Sequence, residues 1–381
     1  MRPEVVVAMK PYFENIFGNP SSFHSIGLEA KSALNKARET VAKCLNCEPS
    51  EIIFTGSGTE SCNMAIKGTA FANKNKGKHI ITQTTEHHAV LHSVEWLERA
   101  QGYDITYLDV DKDGLVSSSE LENAIRKDTV LITIMYANNE IGTIQPIKEL
   151  AQIAKKHNVL FHTDACQAGG LLNVDVKYLG VDLMTLNGSK IYGMKGTGLL
   201  YKRKGVKIEP WIHGGGHEFG LRAGTENIPG IVGLAKALEL CQNEREAESK
   251  RLTELRDQLI NTILENIPDT FLNGHPIKRL PNNVNISFLN VEGEALALML
   301  DREGIYVSSG SACTSQNLKP SHVILSLGLP YEASHGAIRF SLGKRTTKED
   351  IDYLLEKLPP IIDRLRSMSP IHLTKSEVFN E

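Results

Sequence analysis

Cysteine is scarce in this chain, with six residues in 381, at positions 44, 47, 62, 166, 241 and 313. So sparse a set excludes a disulfide scaffold. Each thiol is expected to pack as a small apolar side chain unless its neighbours indicate chemistry. A charge of one sign is lacking too. The 42 basic and 45 acidic side chains leave a net charge of −3, so no global field draws the chain to an anionic membrane, and no direct nucleic-acid binding is expected. No apolar run approaches the ~20 residues a membrane-spanning helix needs, and Met1–Lys10 lacks a leader pattern. A cytoplasmic protein without a membrane partner is expected. Internal repeats and low-complexity tracts are also absent.

What is present is alternation. Short β-branched runs at Glu51–Thr55, Ile80–Thr82, Ile105–Leu108, Val130–Tyr136, Val159–Thr163, Leu183–Leu186 and Gly198–Tyr201 are separated by stretches with apolar residues three and four apart. Strands joined by helices predict crossover connections and a mostly parallel sheet covered on both faces. The fold class is therefore α/β, with a seven-stranded central sheet. Leu34, Ala37, Val41 and Leu45 mark an amphipathic helix ahead of it. A long helix is predicted over about 228–265, followed by strands Val284–Phe288 and Ala337–Leu342 and helices near Glu294–Arg302 and Lys348–Arg366. These form a smaller α+β second domain. The expected boundaries are residues 16–240 for the larger domain, and 1–15 with 241–381 for the smaller.

Three patterns resemble metal or redox motifs and are read otherwise. Asp109-x-Asp111-x-Asp113-Gly114 with Glu120 satisfies the calcium-loop spacing. A strand-like run precedes it where a helix should aim the oxygens, so a polar turn is expected. Cys44-x-x-Cys47 has no second ligand pair and ends a helix, while His88 and His92 have no third ligand. No metal site is expected.

The chemistry gathers at the carboxyl ends of the strands, where α/β ligand sites form. Phe54-Thr55-Gly56-Ser57-Gly58-Thr59-Glu60 runs from a strand through a Gly-rich turn into a helix, whose free N–H groups can cradle a phosphate. Asp164 ends a buried strand with Gln167 three residues on, a costly place for a carboxylate without a positive partner. Lys190 follows another strand in Leu186-Asn187-Gly188-Ser189-Lys190 and is a candidate for Schiff-base chemistry. An amine, an acid for a ring nitrogen and an anion site together match pyridoxal 5'-phosphate. His87 is the candidate to stack on its ring.

These segments, with Gly18-Asn19-Pro20-Ser21-Ser22, Asn138-Asn139-Glu140-Ile141-Gly142, Arg222-Ala223-Gly224-Thr225-Glu226-Asn227, Ser308-Ser309-Gly310-Ser311-Ala312-Cys313 and Ile338-Arg339-Phe340-Ser341-Leu342-Gly343, resemble the cysteine desulfurases of the NifS/IscS type. That family lies in the class V aminotransferase group of fold-type I pyridoxal-phosphate enzymes. The resemblance runs from Pro3 to about Leu365. It implies conversion of L-cysteine to L-alanine, with sulfur held as a persulfide on Cys313 for transfer to an acceptor or scaffold protein. Iron–sulfur assembly and thiolation of nucleic acid are both possible ends.

Carried over residue by residue, Lys190 would tether the cofactor and Asp164 would pair with its ring nitrogen. Gln167 would hydrogen-bond the ring hydroxyl, and His87 would stack and move protons. Gly58 and Thr59 would bind the phosphate, with Asn187 and Ser189 assisting. Asn139 would contact cofactor and substrate, and Arg339 would clamp the substrate carboxylate. Thr225 would reach the phosphate of a neighbouring subunit, which implies a homodimer. Cys313, among small polar residues, suits a nucleophile on a loop; Cys166 is expected to be structural.

The chain departs from the family pattern in three places. Asn187 and Ser189 stand where the family has serine and histidine, and the turn reads Gly56-Ser57-Gly58. The chain also opens at Met1-Arg2-Pro3-Glu4 without the family's first strand. Alternative functions are a selenocysteine lyase or related lyase or aminotransferase, and a weakly active scaffold for sulfur-transfer partners.

Overall fold

The computed structural model describes residues 1–310, 320–370 and 372–379. Seven strands form the main sheet: β1 Ile52–Thr55, β2 His79–Gln83, β3 Asp104–Leu108, β4 Thr129–Thr133, β5 Leu160–Asp164, β6 Leu183–Asn187 and β7 Gly198–Lys202. Their order is β1-β7-β6-β5-β4-β2-β3. β2, β3, β4, β5 and β6 pair in parallel, while β7 is antiparallel to both β1 and β6. Six strands therefore share one direction, and their carboxyl ends lie at one edge. The sheet is the mostly parallel α/β architecture that the alternation predicted. β4 stops at Thr133, short of the expected Tyr136, although Ile134 and Tyr136 still donate to the carbonyls of His162 and Asp164 in β5.

Nearly every residue of β1, β2 and β4 is buried, as a sheet covered on both faces requires. Ile53, Ile80, Leu131, Leu183 and Leu200 pack with Cys62, Ala65 and Ile66 of the helix Gly58–Asn73. Each fully buried Ile or Leu contributes about 1.5–3 kcal/mol. Two imidazoles stitch neighbouring strands inside this layer. His79 of β2 bonds Thr106 of β3 and Thr129 of β4, and His162 of β5 bonds Thr133 of β4 and Thr185 of β6.

β1 is an edge strand, and an ion pair covers its open side. The Arg38 guanidinium donates to the Ile52 carbonyl and to Glu218, whose carboxylate also accepts the Phe54 N–H. Glu218 is held with φ at +46°. The exposed edge is thus capped by side chains instead of being left as a template for another strand.

The chain divides into two compact units: residues 1–108, 117–136 and 145–245, and residues 109–116, 137–144 and 246–381. The division falls inside the helix Ile228–Asn266. Residues 1–15, expected with the smaller domain, lie in the first unit instead. There the Arg2 N–H bonds the Tyr192 carbonyl and the Arg2 side chain pairs with Glu244, while Met9 sits against Gly233. The second unit also takes the segments 109–116 and 137–144, which the sequence reading had left in the first. It contains an antiparallel sheet in the order β10-β9-β8, from β8 Thr270–Leu272, β9 Asn283–Phe288 and β10 Ala337–Ser341, with helices Gly293–Arg302 and Lys348–Met368. Among the described residues no helix is long and apolar enough to cross a membrane.

Candidate active site

In the first unit the turn after β1 opens the helix Gly58–Asn73. Ser57 is its N-cap, the hydroxyl accepting the Glu60 N–H at 3.1 Å. That leaves the first two helical N–H groups, at Gly58 and Thr59, with no acceptor among the described residues. Helix starts in this state attract anions. Three other pieces of the sheet edge converge on the same turn. A Cβ at Gly58 would lie 2.7 Å from the Cys166 sulfur and 3.4 Å from Asn187 Nδ2. A Cβ at Gly198, which opens β7, would lie 2.5 Å from the Ser57 carbonyl carbon. Only glycine allows these backbones to approach so closely.

Asp164 ends β5 and is 7% exposed. Its Oδ1 accepts the Cys166 N–H at 2.9 Å. Burial first, then the Asp164 charge, pushes the thiols of Cys62 and Cys166 well above their ordinary range. A thiol raised in this way is a poor nucleophile, and Cys166 packs directly against Gly58. Lys190 is exposed in a single turn after β6; its N–H bonds Asn187 Oδ1, and its ammonium acts on the Cys166 thiol. Gly58, Asp164 and Asn187 thus gather around Cys166, with Thr59 next to Gly58 in the chain and the Lys190 backbone bonded to Asn187. Gln167 follows Cys166 half-buried, and Ser189 is exposed beside Lys190.

His87 caps the helix His88–Gln101, its Nδ1 accepting the Ala89 N–H at 3.0 Å. In the neutral ring the proton is therefore on Nε2. His88 and His92 lie with ring centroids 4.9 Å apart, and no group of three metal-binding side chains occurs among the described residues. In the calcium-like loop, Asp111 Oδ1 accepts the N–H groups of Asp113 and Leu115, which makes a polar turn. Cys44 and Cys47 remain free thiols.

Thr225 is exposed. Its loop is tied to the Gly56 turn by a residue pair that sequence reasoning passed over: Arg222 bonds the carboxylate of Glu60. A second omission is Glu86, wholly buried next to His87. Its place next to His87 is visible in the sequence, but its burial is not.

The second unit holds the remaining described candidates. Arg339 of β10 donates from Nη1 to the Asn139 carbonyl at 2.9 Å, and its backbone pairs with Ser308 in both directions. The Asn138–Gly142 segment is fixed for this contact. Asn138 Oδ1 accepts the N–H groups of Glu140 and Ile141, Gly142 turns with φ +78°, and Asn283 and Asn285 both donate to the Glu140 carbonyl. Arg279 locks the same segment through the Ile141 carbonyl at 2.7 Å. Burial pulls the Arg279 guanidinium down to about 9. Cys313 lies outside the described residues.

The Aminotransferase class-V family model matches residues 1–354. The chain is 57% identical over 371 residues to "Cysteine desulfurase IscS" of Methanosarcina thermophila, covering 97% of this chain and 91% of that protein. Its fold is similar to a solved "NIFS-LIKE PROTEIN" with a TM-score of 0.89 at 39% identity, covering 97% of each chain. It is also similar to "SspA in complex with cysteine", with a TM-score of 0.78 at 36% identity, covering 90% of this chain and 95% of that one. By the extent of these matches, the chain belongs to the class-V aminotransferase family.

Proposed function

We propose that the chain is a cysteine desulfurase, using pyridoxal 5'-phosphate to convert L-cysteine to L-alanine with sulfur carried as a persulfide on Cys313. One observation carries the reading. An anion-ready helix start, a buried carboxylate and an amine converge at one sheet edge, in a chain 57% identical to a cysteine desulfurase. The residues fit the cofactor. The turn packs this closely against Cys166 and Asn187 because position 58 has no side chain, and its donors are neutral N–H groups suited to a phosphate.

When bound, the cofactor supplies an electron sink for bond changes at the substrate's Cα and Cβ. The chain's own residues do the rest. The Gly58 and Thr59 N–H groups and the Asn187 amide would hold the phosphate, with Ser189 at its rim. Asp164 would keep a proton on the ring nitrogen, Gln167 would bond the ring hydroxyl and Lys190 would tether the group. His87 would stack and present Nε2. Arg339, beside the Asn139 carbonyl, would take the substrate carboxylate with its fork of N–H donors. The Cys313 thiolate would attack the substrate sulfur: an S–S bond forms, the Cβ–S bond breaks with its electron pair going to carbon, and that carbon takes up a proton. Cysteine and a thiol thus yield alanine and a persulfide. A persulfide is a carrier, so a sulfur-acceptor or scaffold protein is the implied partner. Thr225 on its exposed loop fits contact with a second copy, and so a homodimer.

The test is turnover. Purified chain with pyridoxal 5'-phosphate is expected to release alanine from L-cysteine in the presence of a thiol reductant. Lys190→Ala should abolish this. Cys313→Ala should abolish it while leaving the yellow colour of the bound cofactor; alanine release that survives Cys313→Ala overturns the reading.

A further inference from the structure

Glu86 is wholly buried three residues past the end of β2, immediately before the His87 cap. Its position answers a specific deficit in the sheet. β2 and β4 pair from His79 to Ile81 against Thr129 to Ile132, and then separate. On the far side of β4, Ile134 and Tyr136 continue to bond β5. The Met135 N–H between them faces the side from which β2 has withdrawn, and a buried N–H without an acceptor is costly. Glu86 Oε1 supplies that acceptor. The same oxygen accepts Gln83 Nε2 at 2.9 Å, and Gln83 Oε1 in turn accepts Gln145 Nε2 at 3.3 Å. One carboxyl therefore spans the gap between two strand ends. On one end it abuts His87; on the other, Tyr136 next to Met135 bonds the Asp164 carbonyl.

We propose that Glu86 is a positioning residue of the cofactor cradle, its buried carboxyl bridging the ends of β2 and β4 and so setting where His87 stands relative to Asp164. The inference rests on the cofactor reading given above. Burial raises the Glu86 carboxyl to about 8, against two N–H bonds that favour its charged form, and Asp164 raises it further. The groups facing it are Asp164 of β5 and Cys62 of the Gly58–Asn73 helix, whose thiol Glu86 also raises. Holding its proton up to about 8, Glu86 places less negative charge beside Asp164 than an ordinary carboxylate would. In both bonds the bridging oxygen accepts an N–H, a role an amide oxygen can keep.

The test uses the full chain freed of cofactor, titrated with pyridoxal 5'-phosphate at pH 7 and followed by the absorbance of the bound ring. Glu86→Gln is expected to bind within about twofold of the unmodified chain, and Glu86→Ala at least about tenfold more weakly, the scale of one lost buried hydrogen bond. If Gln fails as badly as Ala, or if both bind like the unmodified chain, the proposal is overturned. An unmodified chain that takes up no cofactor overturns the underlying reading as well, which separates the two failures.

Because Glu86→Ala can compromise folding, Met135 amide exchange in the cofactor-free chain is a second readout. Protection should persist in Glu86→Gln and fall at least about tenfold in Glu86→Asp, whose shorter arm no longer spans the gap; equal protection in both overturns the bridge. A third readout is pH. The folded value lies above the unfolded 4.5, so the contribution of Glu86 to stability is complete below 4.5 and is lost as pH rises through about 8. Glu86→Gln should lack that decline, and identical pH profiles of the melting temperature overturn the assignment of a neutral acid.

Discussion

Arg222 Nε lies 2.8 Å from Glu60 Oε1, and the other oxygen of the same carboxylate accepts the Gly56 N–H at 2.8 Å. One side chain thereby joins the Gly56–Gly58 turn to the loop carrying Thr225. Glu60→Ala is expected to raise the Kd for pyridoxal 5'-phosphate roughly tenfold, by freeing a turn held by two hydrogen bonds. The melting temperature should move little, since partly exposed pairs are worth ~1 kcal/mol or less. Cofactor titration and thermal unfolding of the same variant check both halves.

The Arg38–Glu218 pair behaves differently because both partners are buried. Glu218→Ala leaves the guanidinium and the Phe54 N–H without their acceptor and is expected to cost about 3–5 kcal/mol. Arg38→Met combined with Glu218→Leu should recover a large part of the loss, because an apolar replacement strands neither charge. Denaturant unfolding of the single and double variants is the measurement; a single variant within 1 kcal/mol of the unmodified chain would refute the argument.

His162 should set an acid limit. Burial holds its imidazole down at about 4, against 6.5 when free, with Asp164 opposing. The folded chain therefore takes up fewer protons than the unfolded chain across that window. Stability from this group is complete above 6.5 and is lost as pH falls through about 4, a change of about 3 kcal/mol. His162→Gln should flatten the acid limb of the stability curve, which urea titrations at stepped pH would reveal.

Thiol reactivity is expected to be highly selective. Burial raises Cys44 to about 11 and Cys47 to about 12, and pushes Cys62 and Cys166 well above 9. A thiol in that state is a poor nucleophile. Brief alkylation of the native chain near neutral pH, read by peptide mass spectrometry, should leave these four unmodified while Cys313 reacts. Rapid labelling of Cys166 would contradict its place in the cradle.

The strands and long helices were legible because burial on both faces leaves near-continuous apolar runs such as Val130–Met135, and because the helices keep their apolar periodicity. The reversal of β7 left no mark, since a parallel and an antiparallel strand bury the same residues. Residues 109–116 and 137–144 fall in the second compact unit rather than with the rest of the stretch 16–240. Their membership depends on long-range bonds, such as Thr143 to Asp113 and Arg279 to Ile141, which no local pattern encodes. Within the candidate site, residues of distinctive chemistry, such as Lys190, Asp164 and His87, could be picked out. Glu60, which bonds Gly56 and Arg222, and Glu86, which bonds Gln83 and Met135, could not, because a glutamate in sequence gives no hint of whether it faces water or a backbone N–H across a gap.

The crowding at Gly198 also constrains how this protein can diverge. Any side chain there would collide with the Ser57 carbonyl carbon, so the floor beneath the turn is closed to variation. Asn187 ends β6 beside the same turn, and Ser189 lies exposed just after it. Substitution at position 198 is therefore barred by geometry, whereas exchange of the Asn187 or Ser189 side chain, each of which already carries a Cβ, adds no such backbone contact.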